Sequence, residues 1–119
     1  MGVAKRLKQE NPDIKVIAVQ PDSPMHGIEG TKHMASTLHP GIYEPSILDG
    51  FVEVSTEEAY LTVRKLAREE GVFIGISSGA NVAGALKVAE KLDEKAVVAT
   101  VLCDNGFRYL SGDLWEGRQ

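Results

Sequence analysis

The pattern of apolar residues changes period within Val72–Leu92. The short run Val72-Phe73-Ile74 reads as a buried strand, and Ala80, Val82, Ala83, Ala85, Leu86, Val88, Ala89 and Leu92 then recur at helical spacing. Between them stands Gly75-Ile76-Ser77-Ser78-Gly79, a strand-to-helix turn that sets two hydroxyls between glycines. Gly75 and Gly79 permit backbone angles or close approaches that a Cβ would forbid, and Ser78 suits the cap of the helix that follows. Capping uses one hydroxyl and leaves the other available to a ligand.

The rest of the chain alternates in the same way. Val3-Ala4-Lys5-Arg6-Leu7-Lys8 reads as the end of a helix, stopped by Asn11-Pro12-Asp13 before a strand at Ile14–Val19. Residues Gln20–Ser46 hold Pro21, Pro24, Pro40 and Pro45 with all three histidines, and predict a long irregular excursion. Loops of that length in a compact domain are usually functional or disordered. A short strand at Phe51–Val54 then leads to Ser55-Thr56-Glu57-Glu58, a capping box opening a helix that runs to about Glu70. Its apolar stripe is Ala59, Tyr60, Val63, Leu66 and Ala67. The continuous apolar run Ala96–Leu102 predicts a strand covered on both faces, and Asp104-Asn105-Gly106 a turn in the tail Cys103–Gln119. Such alternation predicts an α/β fold, an open, mostly parallel sheet with flanking helices, whose ligands gather at the carboxyl ends of the strands. Ser77 and Asp104 both fall at such ends.

Composition narrows the function. With 119 residues the chain makes one small domain at most, and a net charge of −4 offers no basic stripe to nucleic acid. No apolar stretch approaches the ~20 residues needed to span a bilayer, so no membrane partner is expected. A single cysteine makes no intrachain disulfide, which points to a reducing, cytoplasmic setting. The spacing of His26, His33 and His39 fits no compact ligand motif, and no metal site is expected. Cys103 reads as a buried thiol at a strand end, since no adjacent base or cationic cluster is evident to activate it.

Three chemistries compete for the serine turn. Gly75-Ile76-Ser77-Ser78-Gly79 fits the G-x-S-x-G nucleophile elbow, but every histidine precedes Ser77 and none follows to act as base. Phosphate cradling at the helix N-terminus is allowed by geometry, although the Walker signature is missing. The third reading is a hydroxyl that donates to a heteroaromatic nitrogen of a cofactor.

Gly75-Ile76-Ser77-Ser78-Gly79-Ala80 together with Asp104-Asn105-Gly106-Phe107-Arg108-Tyr109-Leu110-Ser111 resembles the C-terminal part of the cysteine synthase (O-acetylserine sulfhydrylase) family, pyridoxal phosphate enzymes of fold type II, tryptophan synthase β-like. Gly27-Ile28-Glu29-Gly30, Pro40-Gly41-Ile42-Tyr43 and Asp49 match the family's order and spacing. The resemblance covers nearly the whole chain. It implies that Ser77 faces the pyridine nitrogen of pyridoxal 5'-phosphate, with Ser78 as the helix cap. Gly75, Cys103 and Asp104 then stand around the cofactor, and Asn105 helps shape the turn. Arg108 and Tyr109 hold the tail to the sheet. Gly27, Ile28 and Gly30 belong to the loop on the substrate side, with Lys32 and His33 following as solvated residues or as attractors of an anion. Phe107 departs from the acidic residue often found there, and the Cys-Asp pair is more reminiscent of B-type than of A-type cysteine synthases.

A serine hydroxyl is a neutral donor, so it favours an unprotonated ring nitrogen and suits β-elimination followed by addition of a sulfur nucleophile. The resemblance therefore implies β-replacement, in which O-acetyl-L-serine and sulfide or another sulfur donor give L-cysteine and acetate, carried out by a homodimer. The family's Schiff-base lysine, its substrate loop and its phosphate loop belong to an N-terminal half absent here, so no catalytic residue is assigned. Residues 1–119 are expected to be the C-terminal part of a single catalytic fold, inactive alone. A cystathionine β-synthase-like lyase and a non-catalytic α/β binding module remain as alternatives.

Overall fold

The computed structural model describes residues 1–116; the last residues of the tail, 117–119, lie outside the described residues. Helix α1 (Gly2–Glu10) stops at Asn11, whose backbone is extended and whose side-chain oxygen accepts from the Asp13 N–H at 2.9 Å. The chain then enters strand β1 (Ile17–Pro21), which pairs in parallel with β2 (Gly50–Val54) from Ile17↔Gly50 to Pro21↔Val54.

Strand β1 begins three residues later than Ile14 because a side chain closes the ladder. Asp49 accepts from the Val16 N–H through Oδ2 at 2.8 Å, and its own N–H donates to the Val16 carbonyl at 2.9 Å. The Lys8 ammonium reaches the same Oδ2 at 2.7 Å, tying α1 to the mouth of the sheet. Pro21 is tolerated because it ends the strand, where a missing N–H breaks no further rung.

The irregular excursion expected over Gln20–Ser46 spans residues 22–49, Gln20 and Pro21 having joined β1, and is relieved by 3-10 turns at Met34–Ser36 and Pro45–Ile47. It is anchored rather than loose at Ile28, which is buried in the core, and at Gly27, whose N–H donates to Thr56 Oγ1 at 2.8 Å.

Helix α2 (Thr56–Glu69) carries the expected capping box, with Ser55 Oγ accepting from the Glu58 N–H at 3.1 Å and Glu58 Oε2 from the Ser55 N–H at 2.8 Å. Gly71 ends it at φ +67, a left-handed angle that favours glycine. Helix α3 (Ile76–Ala89) lies closely on α2 and on the sheet. A Cβ on Gly79 would overlap the Val63 side chain and fall 2.5 Å from the Ala59 carbonyl oxygen. One on Gly84 would meet Val19 at 2.7 Å. These glycines let α3 approach both neighbours, and the core of Val54, Ala59, Val63, Ile74, Ile76 and Ala80 forms where the three layers meet.

The architecture is thus α/β, a small parallel sheet flanked by helices, but two expected strands are not formed. Val72-Phe73-Ile74 makes only an isolated antiparallel bridge, Ile74↔Asn105. Ala96–Leu102 forms no strand, and Val97 is 93% and Val101 67% exposed. A strand needs partners for its backbone, and among the described residues no backbone group of Val97–Leu102 pairs with another. Cys103 is accordingly exposed rather than buried. Helix α3 also ends before Leu92, which with Leu86 stays about half exposed. No helix among the described residues is long and apolar enough to cross a membrane.

Candidate functional site

The bridge at Ile74 and Asn105 brings the start of α3 beside the tail. Gly75 N–H donates to the Asp104 carbonyl at 3.1 Å, and Gly106 N–H to the Phe73 carbonyl at 3.2 Å. Behind them lies Ser78, fully buried. Its Oγ accepts from the Cys103 N–H at 2.8 Å and lies 3.4 Å from both the N–H and the carbonyl of Asp104. Ser78 therefore does not cap α3, as the sequence suggested: Gly75 occupies the N-cap without a side-chain bond, and Ser78 stands inside the first turn. Its buried hydroxyl finds its partner across on a segment 25 residues away, because a polar side chain with no access to water needs a hydrogen bond.

Ser77, one residue earlier, makes no side-chain hydrogen bond to the described residues and lines an open cavity of about 500 Å³. Around it stand Asn81 one turn along α3, Cys103 and Asp104, the loop residues Glu29, Gly30 and Thr31, and Arg108 with Tyr109. Of the expected site residues, Ser77, Cys103, Asp104 and Gly30 meet at this cavity. Gly75 and Ser78 support it from behind. Ile28 faces the core instead, and Gly27 abuts Thr56, where an added Cβ would come within 2.9 Å. His33 bonds Ser36 at 2.8 Å, and neither it nor Lys32 lines the cavity.

Asp104 is the electrostatic centre. Its Oδ2 accepts from the Tyr109 hydroxyl at 2.7 Å, and Oδ1 is buried with no hydrogen-bond partner, seated where a Cβ of Gly75 would be. Burial first, and then the Asp104 hydrogen bond, push the Tyr109 hydroxyl up to about 12, so it stays a neutral donor. Arg108 bridges Asp104 and Glu29, each at 3.7 Å, and so links the tail to the loop rather than to the sheet. The tail itself is held by buried Leu114, whose carbonyl accepts from Arg64 at 2.9 Å, and by Trp115 stacked on Phe73 at 5.0 Å. Phe107 meets the same Phe73 edge-on.

Sequence reasoning had Glu29 only as part of the Gly27–Gly30 motif and missed Thr31 and Asn81. Asn81 was within reach, since a residue four after Ser77 shares its helix face. It donates to the Val101 carbonyl at 2.9 Å. The arrangement offers a neutral hydroxyl, unpaired among the described residues, in an open cavity beside an acid that accepts from Tyr109. No lysine lines it.

Such a cavity, at the start of α3 between the 29–31 loop and the tail of an α/β fold, has the lining of a small-molecule site. Residues 1–104 match the family described as "Pyridoxal-phosphate dependent enzyme", and the chain belongs to that family. It is 44% identical to a cysteine synthase of Aquifex aeolicus (strain VF5) over 99% of this chain and 37% of that protein. It is 38% identical to an O-ureido-L-serine synthase of Streptomyces lavendulae, over 98% of this chain and 38% of that one. A crystal structure of an O-acetylserine dependent cystathionine β-synthase from Helicobacter pylori superposes with a TM-score of 0.86 at 36% identity, covering 96% of this chain and 39% of that chain. The chain thus spans about two fifths of the length of these relatives.

Proposed function

We propose that this chain provides the ring side of the active site in a pyridoxal phosphate enzyme catalysing β-replacement, of the cysteine synthase type. The carrying observation is Ser77, whose hydroxyl has no hydrogen-bond partner among the described residues and lines an open cavity in a chain of this family. The residues fit the ring end of the cofactor. Ser77 would donate to the pyridine nitrogen, Asp104 and Cys103 would flank it, and the Glu29–Thr31 loop would close over the substrate side. Gly75 keeps the approach open, because a side chain there would collide with Asp104.

When bound, the cofactor supplies the electron sink that lets a β-substituent leave and a sulfur nucleophile take its place. The residues here would orient the ring and leave its nitrogen unprotonated. A neutral hydroxyl does not force a proton onto the ring nitrogen, and a Tyr109 that remains protonated keeps Asp104 partnered across the working pH range. The preferred substrates are O-acetyl-L-serine and sulfide or a related donor, giving L-cysteine and acetate. The chain's span of about two fifths of its relatives' length supports a reading of residues 1–119 as the C-terminal part of the fold. The covalent lysine and phosphate loop would come from an N-terminal half, in a homodimeric whole. A cystathionine β-synthase activity is the second reading, favoured by the Helicobacter pylori relative.

A chimera joining this chain to the part of the Aquifex aeolicus relative with which it does not align tests the proposal. The chimera is expected to bind pyridoxal phosphate with the visible absorbance of the lysine-bound cofactor, and to form cysteine from O-acetylserine and sulfide. This chain alone should do neither. A folded chimera without cofactor absorbance would refute the reading. Turnover only with homocysteine would select the cystathionine alternative.

A further inference from the structure

Three side chains set the charge of the cavity that Ser77 lines. Glu29 and Asp104 supply two carboxylates, and Arg108 is the one cation in the lining among the described residues. Its guanidinium stands 3.7 Å from Glu29 Oε2 and 3.7 Å from Asp104 Oδ2, and 5.6 Å from the centre of the Tyr109 ring. One positive charge shared between two carboxylates leaves the described lining acidic. Lys32 and His33, which the sequence offered as attractors of an anion, stand outside it.

The Glu29 carboxylate is delivered to the cavity by a built turn. Thr31 donates to the Ile28 carbonyl twice, through its N–H at 3.3 Å and through Oγ1 at 2.7 Å. Gly30 takes φ +83, the left-handed angle of position i+2 in a type II turn, which sets Glu29 at i+1. Buried Ile28 roots this turn in the core. The backbone beneath Glu29 is thereby fixed, while its side chain, 63% exposed, extends to Arg108. An ion pair this exposed adds little to stability, so its consequence lies in the field it sets over the cavity.

We infer that Glu29 is a specificity-determining residue: its carboxylate turns away sulfur donors that carry two negative charges and leaves the site to donors of low net charge, such as hydrogen sulfide. The inference rests on the proposed β-replacement, in which the donor's sulfur forms the bond to Cβ as acetate leaves. A dianion approaching the cavity meets two carboxylates and a guanidinium that both already engage, and Coulomb repulsion raises its energy there. An uncharged donor does not feel this field, and salt screens it. Arg108 has the opposite sign, so its removal should deepen the exclusion. A strap that merely tied loop to tail would behave differently, because losing either partner breaks the same contact.

Cys103, the single cysteine of the chain, lines the same cavity and reports its charge. Its alkylation by anionic iodoacetate is compared with that by neutral iodoacetamide at low salt, a ratio in which any change of thiolate fraction cancels. Glu29→Gln should raise this ratio about threefold and Arg108→Gln should lower it by a similar factor, both effects fading at high salt. Glu70→Gln, exposed and outside the lining, should leave it unchanged. In the chimera, Glu29→Gln should raise kcat/KM for thiosulfate, a dianionic donor, relative to sulfide by about fivefold, chiefly through KM. Ratios indifferent to Glu29→Gln, or moved in the same direction by both variants, would overturn the inference. If the chimera makes cysteine while the alkylation ratio ignores both charges, the role of Glu29 falls and the β-replacement proposal stands. If the alkylation ratios follow the charges but the chimera forms product from neither donor, the charge filter stands and the β-replacement proposal falls.

Discussion

The Tyr109 hydroxyl donates to Oδ2 of Asp104 across 2.7 Å, and both residues line the same cavity as Ser77. This bond joins the tail to the turn that carries Asp104 and helps hold the Tyr109 hydroxyl protonated. Desolvation opposes the phenolate and the adjacent carboxylate opposes it further, which raises Tyr109 to about 12.

A raised folded value means that this stability is complete below the unfolded value of about 10 and is lost as pH climbs towards 12. Ultraviolet titration should therefore show a tyrosine step near pH 12 that Tyr109→Phe removes. The same variant should lower unfolding free energy at neutral pH by about 1.5–3 kcal/mol, the usual worth of a hydrogen bond to a charged group.

Gly75 is required by space rather than by backbone angle. Its φ of −86 suits any residue, yet an added Cβ would collide with Asp104 and with the Tyr109 ring. Gly75→Ala should cost about 1–3 kcal/mol in urea unfolding as these groups are displaced. Gly41→Ala is the control, since nothing lies within 4 Å of its Cβ position, and should leave stability nearly unchanged.

Two carboxylates set the acid limit. The Lys8 hydrogen bond, with the Val16 N–H, holds Asp49 below its ordinary value; Lys87, with the Ser55 N–H, does so for Glu58. Depressed folded values give stability that is present above the unfolded values, near 3.8 and 4.5, and lost as pH falls through the folded ones. Urea midpoints should drop below about pH 4.5, and the drop should be shallower in Asp49→Asn and Glu58→Gln.

Elements whose determinants are local were legible in the sequence. The capping box at Ser55 and Glu58 completes itself within four residues, so motif and structure coincide. The α/β alternation likewise emerged from period alone. What failed depended on distant partners. Ser78 has the composition of a cap, but its acceptor capacity is claimed by Cys103, which no local pattern reveals. The run Ala96–Leu102 states that it needs cover on both faces, not whether this chain provides it. Of the residues that motifs mark, Ser77, Asp104, Cys103 and Gly30 line one cavity, whereas Thr31 reaches it through the folding of a loop that no motif describes.

Ser77 and Ser78 are neighbours with separate duties, and paired alanine substitutions divide them. Ser78→Ala strips the acceptor from the Cys103 N–H in a part-buried bond and should cost about 1 kcal/mol of stability. Ser77→Ala breaks no hydrogen bond among the described residues and should unfold at the same urea concentration as the parent chain.

The most direct measurement of the central claim is the dissociation constant of pyridoxal phosphate for the chimera with and without Ser77→Ala. Loss of a ring-nitrogen donor should weaken binding about tenfold, equivalent to ~1.4 kcal/mol, with the unfolding midpoint of the cofactor-free protein unchanged. An unaltered dissociation constant and an unaltered cofactor absorbance in the folded variant would contradict the assignment of Ser77 as the ring donor.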